Sequence, residues 1–490
     1  MHILLTGATG YIGGRLAPRL IAAGHQVRCL ARHPDRLRDV PWRAQAEVVA
    51  GDVMDPSQLE PACAEIDVAY YLVHSMPTGK AFAEKDRAAA QNFARAAEKA
   101  GIRTIIYLGG LAPEGTELSE HMRSRTEVAD LLLESAVPAI VLRASVILGS
   151  GSASFEMLRY LTERLPAMVT PRWVRNRVQP IGIRDVLRYL LGALDLPTDS
   201  NRTFDIGGPQ ILSYDQLIQL YARTAGLKRR IIVPTPFLSP WLSSHWVGLV
   251  TPVPNALARP LVESLRHESI VHEHDIARYI PDPPDGLMSP ERAITLALRR
   301  IQETNVETRW SAASWPGAPS DPLPQDPHWA GGSLYRDERV AQVKAPSETL
   351  WRIIEGIGGE TGWYSWPFAW TVRGWFDRAI GGVGLRRGRR NPHRLHVGES
   401  LDFWRVEEVI PQKLLRLRAE MRLPGLAWLE FSLTENDDRT SGLRQRALFH
   451  PRGLLGHLYW WTIAPWHGLV FGGMRRNITK AAENAANKDG

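Results

Sequence analysis

The chain has 490 residues, 44% of them apolar and 23% charged, so it can bury a sizeable core, and bulk disorder is excluded. Lys plus Arg is 59 and Asp plus Glu is 52, a net +7 that favours an anionic ligand or surface without demanding nucleic acid. Only Cys29 and Cys63 are present, which excludes a disulfide scaffold and a cysteine-built zinc site.

Residues 2–6 read as a short buried strand. Thr6-Gly7-Ala8-Thr9-Gly10-Tyr11-Ile12-Gly13 is a tight turn running into a helix at about 12–23, and Val27–Ala31 is the next strand. Strand, glycine loop, helix and strand form the context that a dinucleotide fingerprint requires. Gly7 permits the turn, Gly10 lets the backbone approach a pyrophosphate seated on the helix N-terminus, and Gly13 lets helix and sheet pack closely. Thr6, Gly7, Thr9, Gly10, Tyr11, Ile12 and Gly13 are therefore candidate cofactor contacts. No secretory leader is read at the start, and a cytoplasmic location is expected.

Strands continue at Val48-Val49, Val68–Val73, Thr104–Leu108 and Ala139–Arg143, with helices at about 56–64, 80–100 and 118–135 between them. The alternation predicts an α/β Rossmann-type, doubly wound parallel sheet with its ligand at the C-terminal strand ends. Candidate residues at those ends are Arg32, His33 and Arg36 after the second strand, Asp52 and Val53 after the third, Leu72, Val73 and His74 after the fourth, and Leu108 after the fifth. NAD-binding folds usually place an acid after the second strand. A guanidinium there, from Arg32, favours the extra 2′-phosphate, so NADP(H) is the favoured cofactor and NAD(H) the other option.

Residues of about 144–300 read as a substrate lobe, so that 1–300 form the first domain. Arg172-Trp173 and Arg175–Gln179 are placed to reach an anionic substrate, and Ser213 with Gln216 forms a capping box. The proline-rich run 234–260 reads equally as substrate lobe, lipid-facing wedge or domain interface. His272 and His274 are spaced to share one side of a strand but lack a third ligand, so no metal site is expected. Residues 301–333 read as a linker. Of 17 tryptophans, 13 fall between Trp310 and Trp466, which marks the rest of the chain as a different object.

The second domain, 334–485, opens with an alternating strand to Val343. A helix at 348–357 follows with Ser347 as its cap. Strands come at about 396–406, 413–422, 427–434 and 443–450, and a long helix at about 465–485 closes the domain. The run Arg386–Arg390 suits a phosphate or head group, and nucleic acid is not expected. Trp241–Leu265 and Leu454–Gly473 are the most membrane-like stretches; proline breaks both, so neither is expected to span, and peripheral membrane contact stays open.

TGATGYIG, then LAR after the second strand, then GDV after the third, resembles the extended and atypical short-chain dehydrogenase/reductase superfamily. The chain is most similar to the group holding NmrA-like proteins and the accessory NAD(P)H-binding subunit of respiratory complex I, over about residues 1–300. The resemblance implies that Asp52 and Val53 meet the adenine, that Leu72 and Val73 line the nicotinamide side, and that Ser145–Gly149 lies beside the nicotinamide. It also implies a serine after the fifth strand and a Tyr-x-x-x-Lys on the next helix. This chain has Tyr107-Leu108-Gly109-Gly110-Leu111 and His121-Met122-Arg123-Ser124-Arg125 instead. His121 and Arg125 are four apart, share a helix face and stand where the tyrosine and lysine belong. Histidine can exchange a proton near neutral pH, and arginine can hold the ribose or a phosphate. Tyr107 and Ser124 are the reserve candidates.

VKAPSETLWRII, VGESLDFWRVE and PRGLLGHLYWWTIAPWHGLVFGGM resemble an uncharacterised domain found fused behind these atypical reductases. The order of strand, helix, antiparallel strands and long helix resembles the α+β helix-grip fold of the START and Bet v 1-like superfamily, which encloses an apolar cavity. The expected function is an NADP(H)-dependent oxidoreductase acting on a small apolar substrate or lipid. The alternative is a non-catalytic NADP(H)-binding sensor or assembly protein whose second domain binds lipid or a partner. The oligomeric state is not legible.

Overall fold

The computed structural model describes residues 1–73, 82–113, 118–197, 199–235, 250–304, 331–359, 362–365, 394–421, 423–437 and 439–489. His74 and Arg386–Arg390 lie outside the described residues, as do Trp366, Trp370, Trp375 and most of the expected linker. The chain divides into two compact units, Met1–Gly332 and Ser333–Gly490.

In the first unit the strands are β1 (His2–Thr6), β2 (Gln26–Ala31), β3 (Glu47–Ala50), β4 (Val68–Tyr71), β5 (Thr104–Gly110), β6 (Ala139–Ala144), β7 (Ile147–Leu148), β8 (Ala167–Pro171), β9 (Arg177–Val178), β10 (Ile181–Gly182), β11 (Arg202–Ile206), β12 (Leu212–Ser213) and β13 (Ile231–Thr235). The helices are α1 (Tyr11–Ala22), α2 (Pro56–Cys63), α3 (Phe82–Ala100), α4 (Glu120–Leu133), α5 (Ala153–Arg164), α6 (Ile183–Gly192), α7 (Tyr214–Thr224), α8 (Asn255–Ser264) and α9 (Pro290–Thr304). Seven strands form one parallel sheet in the order β11-β6-β5-β4-β1-β2-β3. The order reverses between β1 and β4, the switch point where such sheets take their ligands.

The strands are apolar on both sides because helices cover both faces. The two-residue period sorts them into two cores. Ile3, Leu5, Tyr70, Ile106 and Leu108 pack with α1 and α6. Leu4, Tyr71, Ile105 and Tyr107 pack on the other face with α2, α3 and α4. Burying each such leucine contributes roughly 1.5–3 kcal/mol. A third cluster joins Phe155 of α5, Tyr221 of α7 and Ile294 of α9 beyond the strand ends. Ser213 and Gln216 form the expected capping box at the start of α7. The His272/His274 segment is irregular rather than a strand: the His272 amide donates to Asp205, and a 3-10 turn, Asp275–Arg278, follows.

The second unit is an antiparallel sheet with a long helix. Its strands are β14 (Tyr335–Val343), β15 (Ser400–Leu401), β16 (Trp404–Ile410), β17 (Leu414–Ala419), β18 (Gly425–Asp437) and β19 (Thr440–Pro451), in the order β14-β19-β18-β17-β16-β15. Helices α10 (Ser347–Glu355) and α11 (Gly453–Asp489) complete it. On one face Phe471, Met474, Ile478 and Ala482, one stripe of α11, meet Leu417, Leu429, Phe431 and Leu443. Another strand position carries charge: Glu408 pairs in register with Arg416, Arg416 with Glu430, Glu430 with Arg446, and Arg446 with Glu338. Arg416 Nε donates to Glu430 Oε1 at 2.7 Å and Arg446 Nε to Glu430 Oε2 at 2.6 Å, all three side chains being buried.

Three sequence expectations are corrected here. Ser347 is the first residue of α10, not its cap; Pro346 stands at the cap, with no side-chain bond to the helix. The single strand at 396–406 is two strands, β15 and β16, because Asp402 turns the chain with φ +54. The closing helix starts at Gly453, not near 465. Pro465 costs it one backbone bond, but the preceding turns are held by tertiary contacts: Trp460 stacks on Tyr335 at 4.9 Å and His457 Nδ1 lies 2.8 Å from Tyr335 Oη. Trp363, Trp404, Trp428 and Trp460 are core residues, whereas Trp461 is exposed. No helix of the described residues is long and apolar enough to cross a membrane.

Candidate functional site

The glycine turn is built by close approach. Thr6 Oγ1 donates to the Tyr70 carbonyl at 2.9 Å and accepts from the Leu72 amide at 3.0 Å, clasping β1 to β4 where the strand order reverses. Gly7 has φ +75, and a Cβ there would lie 2.5 Å from the Leu72 carbonyl oxygen. A Cβ on Gly13 would lie 2.4 Å from the Gly7 carbonyl oxygen. Both positions must be bare, for conformation at Gly7 and for space at Gly13. Gly10 caps α1 without a side chain, so the first-turn amides of that helix are presented without a competing side-chain acceptor.

The turn opens into a cleft of about 1210 Å³ at the C-terminal strand ends. Of the sequence candidates, Thr9, Gly10, Tyr11, Ile12, Arg36, Leu108, His121 and Arg125 line it together. Thr6 is fully buried and supports the turn from beneath. Arg32 and His33 are exposed at the end of β2, beside the 3-10 turn that carries Arg36, and Arg32 makes no ion pair among the described residues. Asp52 Oδ1 accepts from the Met54 amide at 3.0 Å, shaping the loop after β3, and Val53 is buried. Leu72 and Val73 are half-buried past the end of β4.

α4 carries the pair that sequence spacing put on one face. His121 is buried, and its Nδ1 lies 3.2 Å from Ser264 Oγ of α8. Ser264 Oγ donates to the Pro260 carbonyl at 2.8 Å. Arg125 Nη2 donates to the Leu108 carbonyl at 2.8 Å, while its Nε is buried with no hydrogen-bond partner. Buried donors without partners are costly, so this guanidinium is arranged for a further acceptor. Ser145, Thr170 and Trp173 also line the cleft, each with a buried side-chain polar atom lacking a partner.

Two reserve candidates point elsewhere. Ser124 Oγ donates to Asp86 in the buried layer between α3 and α4. Tyr107 faces the same layer because it alternates with Leu108; burial pushes its phenol up, against the pull of the Arg125 cation. Within 175–179, Gln179 braces the Gly208 carbonyl and the Val271 amide, and Arg177 pairs with Glu268. Only Trp173 and Val174 of that region line the cleft.

The far wall is apolar: Met157 and Leu161 of α5, Trp173, and Leu257 and Leu261 of α8. This wall falls within the expected substrate lobe of about 144–300, but neither its individual residues on α5 and α8 nor Ser264 is singled out by the sequence. Trp173 and Ser145 stood in segments already noted, but nothing in the local pattern marks Ser264. Among the described residues no group of three or more His, Cys, Asp or Glu is placed to hold a metal ion.

Comparison with known proteins places residues 7–128 in a family described as NAD(P)H-binding, and residues 329–474 in a family described as a protein of unknown function, DUF2867. Among relatives, the photosystem II assembly factor Ycf39 of Cyanophora paradoxa is 27% identical over 245 residues, covering 49% of this chain and 73% of that protein. The (4-alkanoyl-5-oxo-2,5-dihydrofuran-3-yl)methyl phosphate reductase of Streptomyces griseus is 28% identical over 274 residues, covering 54% of this chain and 86% of that protein. The triphenylmethane reductase of a Citrobacter species shares the fold, with a TM-score of 0.50 at 20% identity over 61% of this chain and all of that one. The first unit is thus an NAD(P)H-binding Rossmann domain resembling the short-chain dehydrogenases/reductases, and it is fused to a C-terminal domain of unknown function.

Proposed function

We propose that the chain is an NADP(H)-dependent oxidoreductase of the atypical short-chain type, acting on a small apolar molecule. The observation that carries this reading is the continuity of the cleft, from the glycine turn past His121 and Arg125 to the apolar wall of α5 and α8. A dinucleotide fits the residues present: the bare turn at Gly7 and Gly13 admits a pyrophosphate at the start of α1, and Arg125 Nε lacks an acceptor that a ribose hydroxyl supplies. When bound, the nicotinamide exchanges a hydride with substrate.

The chain's own residues supply the rest. Ser264 Oγ spends its hydrogen on the Pro260 carbonyl, so it accepts from His121 Nδ1–H. With that hydrogen on Nδ1, the reading places proton exchange at Nε2. Arg125, anchored by the Leu108 carbonyl, positions the ribose. Arg32 selects the 2′-phosphate, with Arg36 beside it at the cleft edge. The Streptomyces relative is by name a reductase of an alkanoyl-bearing dihydrofuranone methyl phosphate, and an apolar wall suits the alkanoyl chain of such a molecule rather than its phosphate. For the second domain, the antiparallel sheet against a long helix supports a helix-grip assignment.

A second reading rests on Gly109-Gly110, which stand where the superfamily's serine belongs, and on the assembly-factor relative. It makes the domain a non-catalytic NADP(H) binder. The test is NADPH oxidation against a panel of hydrophobic ketones and enones. Turnover that falls with His121→Ala supports the oxidoreductase. Tight NADPH binding with no turnover on any substrate supports the second reading.

A further inference from the structure

Helix α11 holds a 22-residue stretch, Gly453–Met474, without a single Asp, Glu, Lys or Arg. One side of this stretch packs into its own domain through His457, Trp460, Phe471 and Met474. The other side does not. Leu455 is 72% exposed, Trp461 67%, Leu469 61% and Trp466 59%, with Leu458 and Leu454 also in water. At about 100° per residue these six side chains fall within an arc of roughly 140°, along about 22 Å of helix. Isolated exposed leucines are ordinary, but a continuous stripe of leucine and tryptophan marks a binding surface.

The occupant is indicated by what borders the stripe. Arg476 and Lys480 continue the same exposed arc about two and three turns beyond Leu469, and neither makes an ion pair among the described residues. Tryptophans among leucines, followed by cations on one helix face, match the chemistry of a bilayer interface with anionic head groups. The stripe is too short and too one-sided to cross a bilayer, in keeping with the lack of any membrane-crossing helix among the described residues. We infer that this face of α11 seats the second domain on the surface of an anionic lipid bilayer, with Leu455, Leu458, Trp461, Trp466 and Leu469 in the acyl boundary and Arg476 and Lys480 on the head groups. The inference does not depend on the oxidoreductase reading.

The test is flotation of the full chain with vesicles of phosphatidylcholine alone and of phosphatidylcholine with about one-third phosphatidylglycerol. The wild type should float with the anionic vesicles. Leu455→Glu with Trp466→Glu should lower the bound fraction at least about ten-fold, each glutamate replacing an apolar contact with a charge. Arg476→Glu with Lys480→Glu should weaken binding to anionic vesicles by about 25-fold or more, and less as salt is added. All four positions are exposed, so the melting temperatures of the variants should match the wild type. Wild type that stays in the aqueous phase with both vesicle types overturns the inference, as does flotation unchanged by the apolar substitutions. A dimer that those substitutions convert to monomer, in a protein that does not float, assigns the face to a second copy and overturns it as well.

Discussion

His121 Nδ1 lies 3.2 Å from Ser264 Oγ, and this contact ties α4, a helix of the dinucleotide half, to α8, a helix of the apolar wall. It is a polar seam between the proton-exchanging candidate and the lobe that would hold substrate. His121→Asn keeps a hydrogen-bonding group toward Ser264 but removes proton exchange. It should lower kcat by about 10²–10⁴-fold while leaving the NADPH Kd within about two-fold. Ser264→Ala frees the ring tautomer; kcat should fall less and the pH–rate profile should move. Stopped-flow NADPH oxidation across pH checks both.

Arg32 is the residue proposed to separate the two cofactors. Losing one charge-assisted pair costs about 1.5–3 kcal/mol, or roughly 10–150-fold in affinity. Arg32→Ala should weaken NADPH by that factor and leave NADH nearly unchanged. Arg32→Asp should invert the preference, since it adds repulsion to the lost attraction. Isothermal titration of both cofactors decides it; equal weakening of the two would assign Arg32 to the fold or to the shared pyrophosphate.

Gly13→Ala tests the turn itself. The new methyl would meet the Gly7 carbonyl oxygen at 2.4 Å, a backbone atom that cannot step aside cheaply. The substitution should destabilise the first domain by about 1–3 kcal/mol and weaken NADPH and NADH alike. Calorimetry and the same titrations distinguish it from Arg32→Ala, whose effect is confined to one cofactor.

Glu430 is fully buried and faces two arginines. Glu430→Gln leaves Arg416 and Arg446 short of an anion and should cost about 3–5 kcal/mol, seen as a fall in the denaturant midpoint of the second domain. Exchanging Arg416, Glu430 and Arg446 together for apolar residues of similar volume should recover much of that loss, because what costs is the orphaned charge rather than the missing bridge.

Asp337 gives the second domain an acid limit. His467 of α11 and Arg339 hold its carboxyl below the ordinary value of 3.8. A carboxyl whose folded pKa is depressed contributes its stability above the unfolded pKa and loses it as pH falls through the folded one. The hold of β14 on α11 should therefore weaken below about pH 4. Asp337→Asn should lower the melting temperature at neutral pH and flatten its decline on acidification. Thermal melts between pH 3 and 7 measure the difference.

The dinucleotide half was legible because its signals are local. Alternating strand and helix periods, and the glycine turn, placed its strand and helix boundaries close to where they are found. The substrate side was not legible for a physical reason. Ser264 meets His121 at a separation of 143 positions along the chain and sits at the end of an ordinary short helix, so no spacing rule announces it. Leu257 and Leu261 look like any core stripe until α8 is seen to leave one side open to the cleft. In the second domain Pro465 read as a helix start, because the contacts of Trp460 with Tyr335 that carry the helix past it are tertiary.

The alternating row Glu408, Arg416, Glu430, Arg446 and Glu338 does more than satisfy itself. On the helix-covered face, Leu415 pairs with Phe431 and Leu417 with Leu429. Sliding β17 by two residues would still set apolar against apolar, so that face barely discriminates between alignments. The charged row does: a slide one way would put Arg416 opposite Trp428 and Leu414 opposite Glu430, and a slide the other way would put Arg416 opposite Ser432, so either takes the buried guanidinium of Arg416 off its carboxylate. The information that chooses one alignment of this sheet therefore resides in its ionic side, and the apolar side, which supplies most of the cohesion, is nearly indifferent to the choice.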